Sequence, residues 1–280
     1  MSVNSKPAQP ITVHNWLTQA TATLTAADIP TSRLDAEVLL AFSLGTTRSW
    51  LHAHGDNILD HKVEKRATKL LNQRMERTPI AYLTGHKEFY GRNFTVTPDV
   101  LIPRPETETM IELAKELKLT GHLLDLGTGS GCIGVTLALE TGCALTLSDI
   151  SPAALAIARK NAEALSVNAL FVESNLLEYW LTHATPALFD VITANLPYVN
   201  RDWERSPETK YEPELALFAD NDGMALILTL ITHASRVLRP NGFLLLEADP
   251  EQHDAIINHA TQNGLQLETV RDYIIALRKS

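Results

Sequence analysis

A glycine-rich turn supplies the first residues whose types and spacing could do chemistry. It runs from Asp125 to Gly134 as Asp-Leu-Gly-Thr-Gly-Ser-Gly-Cys-Ile-Gly, after an apolar run and before a helical pattern. Glycine lets a backbone approach a ligand closely, and the N–H groups at a helix N-terminus are free to bind it. Because Gly129, Gly131 and Gly134 also fit the Gly-x-Gly-x-x-Gly spacing of dinucleotide sites, the turn alone leaves a nicotinamide enzyme open.

Polar positions after the next two predicted strands extend this candidate ligand site. Asp149 ends one strand, where its carboxylate could accept hydrogen bonds from both hydroxyls of a ribose. Ser174-Asn175-Leu176 follows the next strand and offers an amide oxygen for an exocyclic amine and an apolar side chain for a ring face. A second interpretation of Asn175 stays open, because it could instead cap a helix over residues 176–181.

The tetrapeptide Asn195-Leu196-Pro197-Tyr198 follows the fourth predicted strand and points to a specific chemistry. Planar nitrogens such as those of amides are poor nucleophiles because their lone pairs are delocalised. Two acceptors in one plane, Asn195 Oδ1 and the Leu196 carbonyl, could hold such an NH₂ group and aim its nitrogen. Pro197 restricts Leu196 to extended dihedrals and so directs that carbonyl, while Tyr198 offers an aromatic face.

These residues must be positioned by a sheet, and the pattern from residue 122 onward predicts one. Short apolar runs alternate there with amphipathic helical patterns, which indicates an α/β fold with a mostly parallel sheet and helices on both faces. The predicted strands are 123–126, 144–148, 169–172, 189–194, 242–247 and 265–271.

The first 78 residues predict a small helical bundle. One helix carries its apolar residues at helical spacing, and they are Val13, Trp16, Leu17, Ala20 and Leu24. A second helix opens with Ser32 and Asp35 in capping positions, carries Leu34, Val38 and Phe42 on one face and ends at Gly45. A third begins near residue 60. Residues 79–104 predict a connector with a tight hairpin at 89–96, and residues 105–280 form the sheet domain.

Composition and charge exclude several classes of protein. The chain has 280 residues, 45% of them hydrophobic, which is ordinary globular composition. The net charge is −9, and residues 86–280 alone carry −11, which disfavours broad binding to phosphate backbones. Without an 18-residue apolar run or a secretory signal, we expect a cytoplasmic protein with no membrane partner. We expect Cys132 and Cys143 to be buried in the core. We expect no metal site.

Longer motifs carry a resemblance to a known family. They lie at 32–37 (Ser-Arg-Leu-Asp-Ala-Glu), 79–85 (Pro-Ile-Ala-Tyr-Leu-Thr-Gly), 89–91 (Phe-Tyr-Gly), 100–108 (Val-Leu-Ile-Pro-Arg-Pro-Glu-Thr-Glu), 149–151 (Asp-Ile-Ser) and 211–217 (Tyr-Glu-Pro-Glu-Leu-Ala-Leu). With the glycine-rich turn and the Asn-x-Pro-Tyr tetrapeptide, the chain resembles the release factor glutamine methyltransferases over most of its length. The turn itself resembles the first motif of class I methyltransferases that use S-adenosylmethionine.

The resemblance implies a reaction and a set of site residues. The family methylates the side-chain amide of the glutamine in the Gly-Gly-Gln loop of peptide chain release factors, with S-adenosyl-L-methionine as donor and S-adenosyl-L-homocysteine as product. The glutamine site implied is Asn195, Leu196, Pro197 and Tyr198. The implied cofactor contacts are Asp125, Gly127, Thr128, Gly129, Ser130, Gly131, Asp149, Asn175, Leu176 and Asn195. Asp125 would orient either the loop or the amino group of the methionine. The helical domain would recognise the release factor, and no stable nucleic-acid complex is implied.

Three departures from the family pattern matter. Leu196 stands where the family usually has the first proline of Asn-Pro-Pro-Tyr, which keeps the carbonyl but frees its φ angle, so we expect activity to be retained, with an effect on rate that the sequence leaves open. Asn175 stands where an Asp is common. The tail at 272–278 lacks the glycine often found before the final arginine, which predicts a last hairpin of altered shape.

Several alternatives stay open at this stage. The Asn-x-Pro-Tyr turn would also suit a methyltransferase for exocyclic amines of DNA or RNA, and the Leu196 substitution would suit a release-factor-binding protein with weakened catalysis. Arg104, Glu106 and Glu108 could line the amino-acid end of the cofactor or simply begin a helix. Glu212, in the polar stretch 200–221, could belong to a mobile lid or to an ordered turn.

Overall fold

The structure, a computed structural model, describes residues 10–182, 188–200 and 202–280 and divides the chain into two compact units. A helical unit extends to Gly85, and a sheet unit begins at His86. This division falls inside the segment 79–104 that the sequence assigns to a connector, and the predicted domain limits at 78 and 104 stay a prediction. Residues 1–9 of the predicted first domain lie outside the described residues.

Over residues 10–85 the helical unit contains five helices, and the first four contribute buried residues to one apolar core. They are α1 (Val13–Ala26), α2 (Ser32–Leu44), α3 (Arg48–Ala53), α4 (His61–Met75) and α5 (Ile80–Thr84). The predicted stripe on α1 is confirmed, because all five of its residues are buried. Gly45 ends α2 in the left-handed conformation, as expected for a glycine after a helix.

The predicted core face of α2 is wrong. Leu34 is 42% exposed, and Val38 and Phe42 are only half-buried. The helix instead turns inward the face that carries Ala36, Leu39, Leu40 and Ser43. The physical reason is that two acidic residues on α2 are also buried, and each has cationic partners that fix the rotation of the helix.

Asp35 and Ser32 do not cap α2 as expected. Asp35 Oδ2 accepts a hydrogen bond from Arg74 Nε at 2.7 Å, and both side chains are almost fully buried. The residue before the helix is Thr31, whose side chain makes no capping bond, and the Ser32 hydroxyl donates to the Ile29 carbonyl. Asp35 therefore joins α2 to α4.

A hairpin opens the sheet unit where the sequence predicts one. Its strands are β1 (His86–Phe89) and β2 (Arg92–Thr95), and the two turn residues, Tyr90 and Gly91, have φ angles of 50° and 72°. Positive φ at both positions is the geometry of a type I′ turn, which matches the twist of the strands it joins.

The main sheet has seven strands in the order β5-β4-β3-β6-β7-β9-β8. The strands are β3 (His122–Leu126), β4 (Ala144–Asp149), β5 (Ala169–Glu173), β6 (Phe189–Ala194), β7 (Leu238–Glu247), β8 (Leu265–Arg271) and β9 (Ile274–Lys279). The first five are parallel, and β9 runs antiparallel to both of its neighbours. All six predicted strands are present, and the predicted last hairpin is β8 and β9, with Asp272 at a φ of 52° in its turn.

Helices cover both faces of this sheet, which confirms the predicted fold class. They are α6 (Glu108–Glu116), α7 (Cys132–Thr141), α8 (Pro152–Ala164), α9 (Glu178–Thr182), α10 (Ala225–Val237) and α11 (His253–Gln262). Alternate residues of a strand point to opposite faces, so Leu123 packs with α6, α7 and α8, whereas Leu124 packs with α9, α10 and α11. Within the described ranges no helix has the length and apolarity needed to cross a bilayer.

The buried Asp35–Arg74 pair generates a stability prediction. We expect Asp35→Ala to lower the free energy of unfolding by about 3–5 kcal/mol, because it leaves the Arg74 charge buried without its carboxylate. Urea unfolding followed by far-UV circular dichroism measures this. Glu64→Gln is the control, since its partner His61 is exposed, and its cost should stay below about 1 kcal/mol. Equal stabilities of Asp35→Ala and the parent chain would contradict the assignment.

Candidate functional site

A large cavity opens at the carboxyl ends of β3, β4, β5 and β6, where parallel α/β sheets bind their ligands. We call it the main cavity; it encloses about 1160 Å³, including the part open to solvent. Most of the predicted site residues line it, namely Gly127, Thr128, Gly129, Ser130, Asp149, Asn175, Leu176, Asn195, Leu196 and Pro197. Asp125, Gly131 and Tyr198 are not among its lining residues.

A second cavity, here called the side cavity, lies next to the main cavity and shares Arg104, Asn195 and Leu196 with it. Tyr198 and Glu247 also line the side cavity. Asn195 and Leu196 therefore stand between the two spaces, and the last residue of their tetrapeptide faces only the second.

Asp125 holds the glycine-rich turn rather than facing the cavity. Its carboxylate is fully buried, and it accepts hydrogen bonds from the Thr128 hydroxyl at 2.6 Å, the Gly134 N–H at 3.1 Å and the Thr193 hydroxyl at 2.8 Å. Burial raises the pKa of this carboxyl to about 6, although these three donors act in the opposite direction. Of the two roles expected for Asp125, its contacts support orientation of the loop.

Two glycines of the turn are required by close packing. A Cβ at Gly134 would lie 2.5 Å from Leu147 Cδ2 and 2.9 Å from Asp125 Cβ. Gly127 has a φ of 63°, and a Cβ there would lie 3.0 Å from Leu196 Cδ2. A side chain at Gly134 would clash with these two residues of β4 and β3. A side chain at Gly127 would strain the backbone and force Leu196 to shift, so the turn packs closely against the tetrapeptide.

Asp149 lines the main cavity with its carboxylate anchored by backbone donors. Oδ2 accepts from the Gly129 N–H at 2.9 Å, and Oδ1 accepts from the Ser151 N–H at 2.9 Å. Burial raises the pKa of this carboxyl, and the backbone donors lower it. Each carboxylate oxygen can accept a further hydrogen bond, so the anchored group can still bind hydroxyls of a ligand.

The segment Ser174-Asn175-Leu176 lines the main cavity and contains a residue in an unusual backbone conformation. Leu176 has a φ of 48°, which is strained for a non-glycine residue. Ser174 supports it, because its hydroxyl donates to the Leu176 carbonyl at 2.9 Å and accepts from the Tyr179 N–H at 3.1 Å. The side chain that bonds the first turn of α9 is thus Ser174, so the capping alternative for Asn175 is wrong.

Asn195 is held through its amide nitrogen. Nδ2 donates to the Thr107 hydroxyl at 3.3 Å, and Thr107 lies in the Pro-Arg-Pro-Glu-Thr-Glu run. Leu196 is 4% exposed and packs in the apolar core between β6 and α10. The Tyr198 hydroxyl donates to Glu247 Oε1 at 3.1 Å, and burial raises the pKa of this phenol.

Sequence reasoning missed Glu247 and Thr107. Glu247 follows the apolar run at 244–246, so it ends a buried strand in the same way as Asp149, and that shared signal could have identified it. Thr107 carries no such signal, since only the folded chain brings it to Asn195.

The polar stretch 200–221 contributes part of the cavity wall, and residue 201 lies outside the described residues. Pro213, Leu215 and Ala216 line the main cavity. Glu212 is buried and ties the stretch down, because its carboxylate accepts from Arg104 Nη2 at 2.6 Å and from the Ile102 N–H at 3.2 Å. Glu108 accepts from the Tyr90 N–H and does not line the cavity. The mobility of the stretch stays a prediction.

Comparison with known proteins agrees with this architecture. Residues 15–85 match the family described as PrmC N-terminal domain, and residues 106–208 match the methyltransferase small domain. The release factor glutamine methyltransferase of Salmonella typhimurium is 38% identical to this chain and covers 92% of it and 94% of its own length. The enzyme of the same name from Koribacter versatilis is 41% identical, with 81% and 84% covered. The chain belongs to the release factor glutamine methyltransferase family.

Solved structures agree on the fold of this family member. A methyltransferase from Pyrococcus furiosus superposes with a TM-score of 0.53 at 16% identity, covering 74% of this chain and 96% of that one. A 16S rRNA N2 G1207 methyltransferase from T. thermophilus gives a TM-score of 0.51 at 20% identity, covering 70% and 49%. The family models and the named relatives confirm the predicted family and the predicted methyltransferase, and the solved structures confirm the fold.

The structure also shows how the side chain of Leu196 packs within the tetrapeptide. Its side chain fills the space that a Cβ at Gly127 would need, and it joins Leu124 and Leu126 in one apolar core. The leucine thus packs the tetrapeptide against the glycine-rich turn by side-chain contact. The expected retention of activity stays a prediction.

Histidine, cysteine and acidic side chains are the usual protein ligands of metal ions. No group of three or more His, Cys, Asp or Glu side chains in the part of the chain that the structure describes is arranged to hold an ion. His54 Nδ1 lies 2.9 Å from the Trp50 carbonyl, and His52 lies 3.6 Å from Glu37, so these two histidines have protein partners.

The raised pKa of Asp125 predicts a specific pH dependence of stability. The folded chain favours the protonated form, so this contribution is complete below the ordinary pKa of 3.8 and is lost as the pH rises through about 6. We expect the free energy of unfolding of the parent chain, relative to Asp125→Asn, to fall by roughly 2 kcal/mol between pH 4 and pH 7.

Urea titrations of both proteins at each pH measure this difference, and other titrating groups cancel in it. A difference that stays constant from pH 4 to pH 7 would show that Asp125 does not titrate in this range.

Proposed function

We propose that this chain transfers a methyl group from S-adenosyl-L-methionine to the side-chain amide nitrogen of the glutamine in the Gly-Gly-Gln loop of peptide chain release factors. The observation that carries the proposal is the position of Asn195, whose amide stands between two adjoining cavities with its Nδ2 bound to Thr107. The names of the relatives support a release factor as the substrate. Because these relatives match most of the chain, they also favour this substrate over an exocyclic amine of DNA or RNA.

The main cavity suits the cofactor. A Cβ at Gly129 would meet, among the described residues, only the Gly127 carbonyl oxygen at 4.0 Å, so the turn leaves open space beside its backbone. Asp149 would accept the ribose hydroxyls, and Leu176 and Ile150 offer apolar surface for the adenine. The bound sulfonium supplies a methyl group that is electrophilic without further activation.

The side cavity suits the glutamine side chain. Asn195 Oδ1 and the Leu196 carbonyl would each accept a hydrogen bond from one N–H of its NH₂ group, which fixes the plane of the amide and directs the nitrogen toward the main cavity. Two reactants that meet in solution lose translational and rotational entropy before they react. Binding the amide beside the methyl donor removes this entropic cost from the reaction step. An amide nitrogen needs this help because its lone pair is delocalised.

Apolar residues around the junction would keep water away from the reacting atoms. Leu101, Leu196 and Ala216 line both cavities, and Tyr198 places its ring beside the second. Few bulk waters can then compete for the acceptors on Asn195 and Leu196. The methylated amide nitrogen would carry a positive charge and would lose one proton to water as the product leaves, so these residues need to position the amide rather than deprotonate it beforehand.

The helical unit would bind the release factor, as the family resemblance implies. Its own apolar core supports an independent fold, with Trp16, Leu40 and Leu51 among the buried residues. A substrate from the translation apparatus also fits the predicted cytoplasmic location, which stays a prediction.

The role of Asn195 is tested by Asn195→Ala. We expect kcat for methylation of a purified release factor to fall by about 10²–10³-fold, because one of the two acceptors for the amide is lost. The Kd for S-adenosylmethionine should change by at most about tenfold, the cost of one hydrogen bond. Mass spectrometry of the Gly-Gly-Gln peptide and calorimetry measure the two effects.

The matched control is Asn263→Ala, which removes an asparagine near the end of α11, outside both cavities. Its kcat should equal that of the parent chain. If the parent chain places radiolabelled methyl groups in RNA or DNA and none in the release factor, the proposed function is wrong.

The role of the helical unit is tested by a chain that begins at His86. We expect it to retain cofactor binding and transfer to a short Gly-Gly-Gln peptide, but to lose more than about tenfold in kcat/KM on the whole release factor, because the contacts of the recognition unit are gone. Both substrates are assayed with both chains. If the shortened chain methylates the whole release factor as fast as the full chain, this role is excluded.

A further inference from the structure

Glu247 is a buried carboxylate that the proposed chemistry has not yet used. It ends β7, is 2% exposed and lines the side cavity with Asn195 and Tyr198. Its Oε1 accepts from the Tyr198 hydroxyl, while Oε2 has no partner in hydrogen-bond geometry among the described residues. A buried acceptor without a full set of donors is costly to a fold, so its presence needs a reason.

Glu247 forms no ion pair within the described ranges. Burial raises the pKa of its carboxyl, and the neighbouring polar groups of Thr107, Tyr198 and Asn195 act in the lowering direction, although only Tyr198 donates to it in hydrogen-bond geometry. Glu106 acts in the raising direction. Two arginines line the same cavity, but Arg104 pairs with Glu212 and Arg205 lies over the Phe218 ring.

A carboxylate in this position determines which way the Asn195 amide faces. The two ends of an asparagine amide have nearly the same shape, so only hydrogen bonding distinguishes them. A carboxylate accepts hydrogen bonds and repels a carbonyl oxygen. Asn195 therefore turns Nδ2 toward Glu247 and Thr107, where Nδ2 donates to the Thr107 hydroxyl at 3.3 Å, and turns Oδ1 away from them.

We propose that Glu247 is a positioning residue, which holds the Asn195 amide with its oxygen presented to the NH₂ group of the substrate. Thr107 takes part as the hydroxyl between them, and Tyr198 fixes the other oxygen of the carboxylate. The inference rests on the proposed function for its substrate. It explains why an uncompensated acid persists at this site, since a neutral residue of the same shape would stabilise the fold as well or better.

The direct test is Glu247→Gln, which keeps the shape but places an NH₂ group where an acceptor stood. We expect the Asn195 amide to reverse, with kcat reduced by about 10²-fold, because one oriented acceptor is lost to the transition state. The Kd for S-adenosylmethionine and the melting temperature should stay close to those of the parent chain. An unchanged kcat would overturn the proposal.

A double substitution separates positioning from a merely structural role. Asn195→Asp alone sets two carboxylates against each other and should also be slow. In Asn195→Asp/Glu247→Gln, the new carboxylate can accept from the new amide and still present an oxygen to the substrate. We expect its kcat to exceed that of either single variant by about tenfold, whereas independent losses would multiply and overturn the proposal.

Thr107→Val is a second test of the proposal, which can be used if Glu247→Gln fails to fold. It replaces a buried hydroxyl by a methyl group of similar size, and we expect kcat to fall by about tenfold. Thr136→Val is its matched control, because the Thr136 hydroxyl is buried in α7 and Thr136 does not line either cavity. Equal kcat values for Thr107→Val and Thr136→Val would contradict the role of Thr107.

A measurement that needs no turnover distinguishes failure of this inference from failure of the proposed function. The side-chain amide signal of Asn195 in a ¹H–¹⁵N spectrum is assigned by its loss in Asn195→Ala. We expect it to shift in Glu247→Gln and to stay in place in Glu140→Gln, an acid that pairs with Arg92 outside both cavities. If the Asn195 signal shifts in Glu247→Gln but the parent chain does not methylate the release factor, only the proposed function is refuted. Methylation by the parent chain, with no shift, would refute the role of Glu247.

Discussion

The buried carboxylate of Asp125 is the contact on which the rest of the site depends. It receives hydrogen bonds from the glycine-rich turn through Thr128, from the first turn of α7 through Gly134, and from β6 through Thr193. Thr193 lies two residues before Asn195, so one side chain joins the turn that would hold the cofactor to the strand that presents the tetrapeptide. The relative position of the two halves of the reaction is thus set inside the protein, where water cannot compete for the carboxylate.

Packing completes what this hydrogen-bond cluster begins. Leu196 occupies the space beside Gly127, and a side chain at Gly127 would force the two apart. The same leucine contributes to the apolar core between the sheet and α10. Rigid placement of this kind matters for a reaction in which the nucleophile is weak, because the protein contributes mainly geometry and the sulfonium contributes the reactivity.

Acids recur at or near the carboxyl ends of the parallel strands, where Asp125 and Glu247 are buried and Asp149 is half-buried. Asp125 orients a loop, Asp149 presents oxygens to the main cavity, and Glu247 faces the amide of Asn195 from β7. Burial raises the pKa of all three carboxyl groups, so each costs folding free energy when it is ionised. Burying an ionisable group usually destabilises a fold. Proteins tolerate this loss of stability mainly at functional sites, where the group is needed for binding or catalysis.

The sequence by itself determined the order of strands and helices, the glycine-rich turn and the Asn-x-Pro-Tyr tetrapeptide, because periodicity and turn chemistry are local properties. It did not determine the inward face of α2, where the buried Asp35 and Glu37 mislead a pattern based on apolar residues alone. Nor did it reveal that Thr107 and Glu247 are neighbours of Asn195. Thr107 lies 88 residues before Asn195 in the chain, and Glu247 lies 52 residues after it. Those contacts exist only once parallel strands bring distant segments to one edge of the sheet, so the tertiary structure alone decided them.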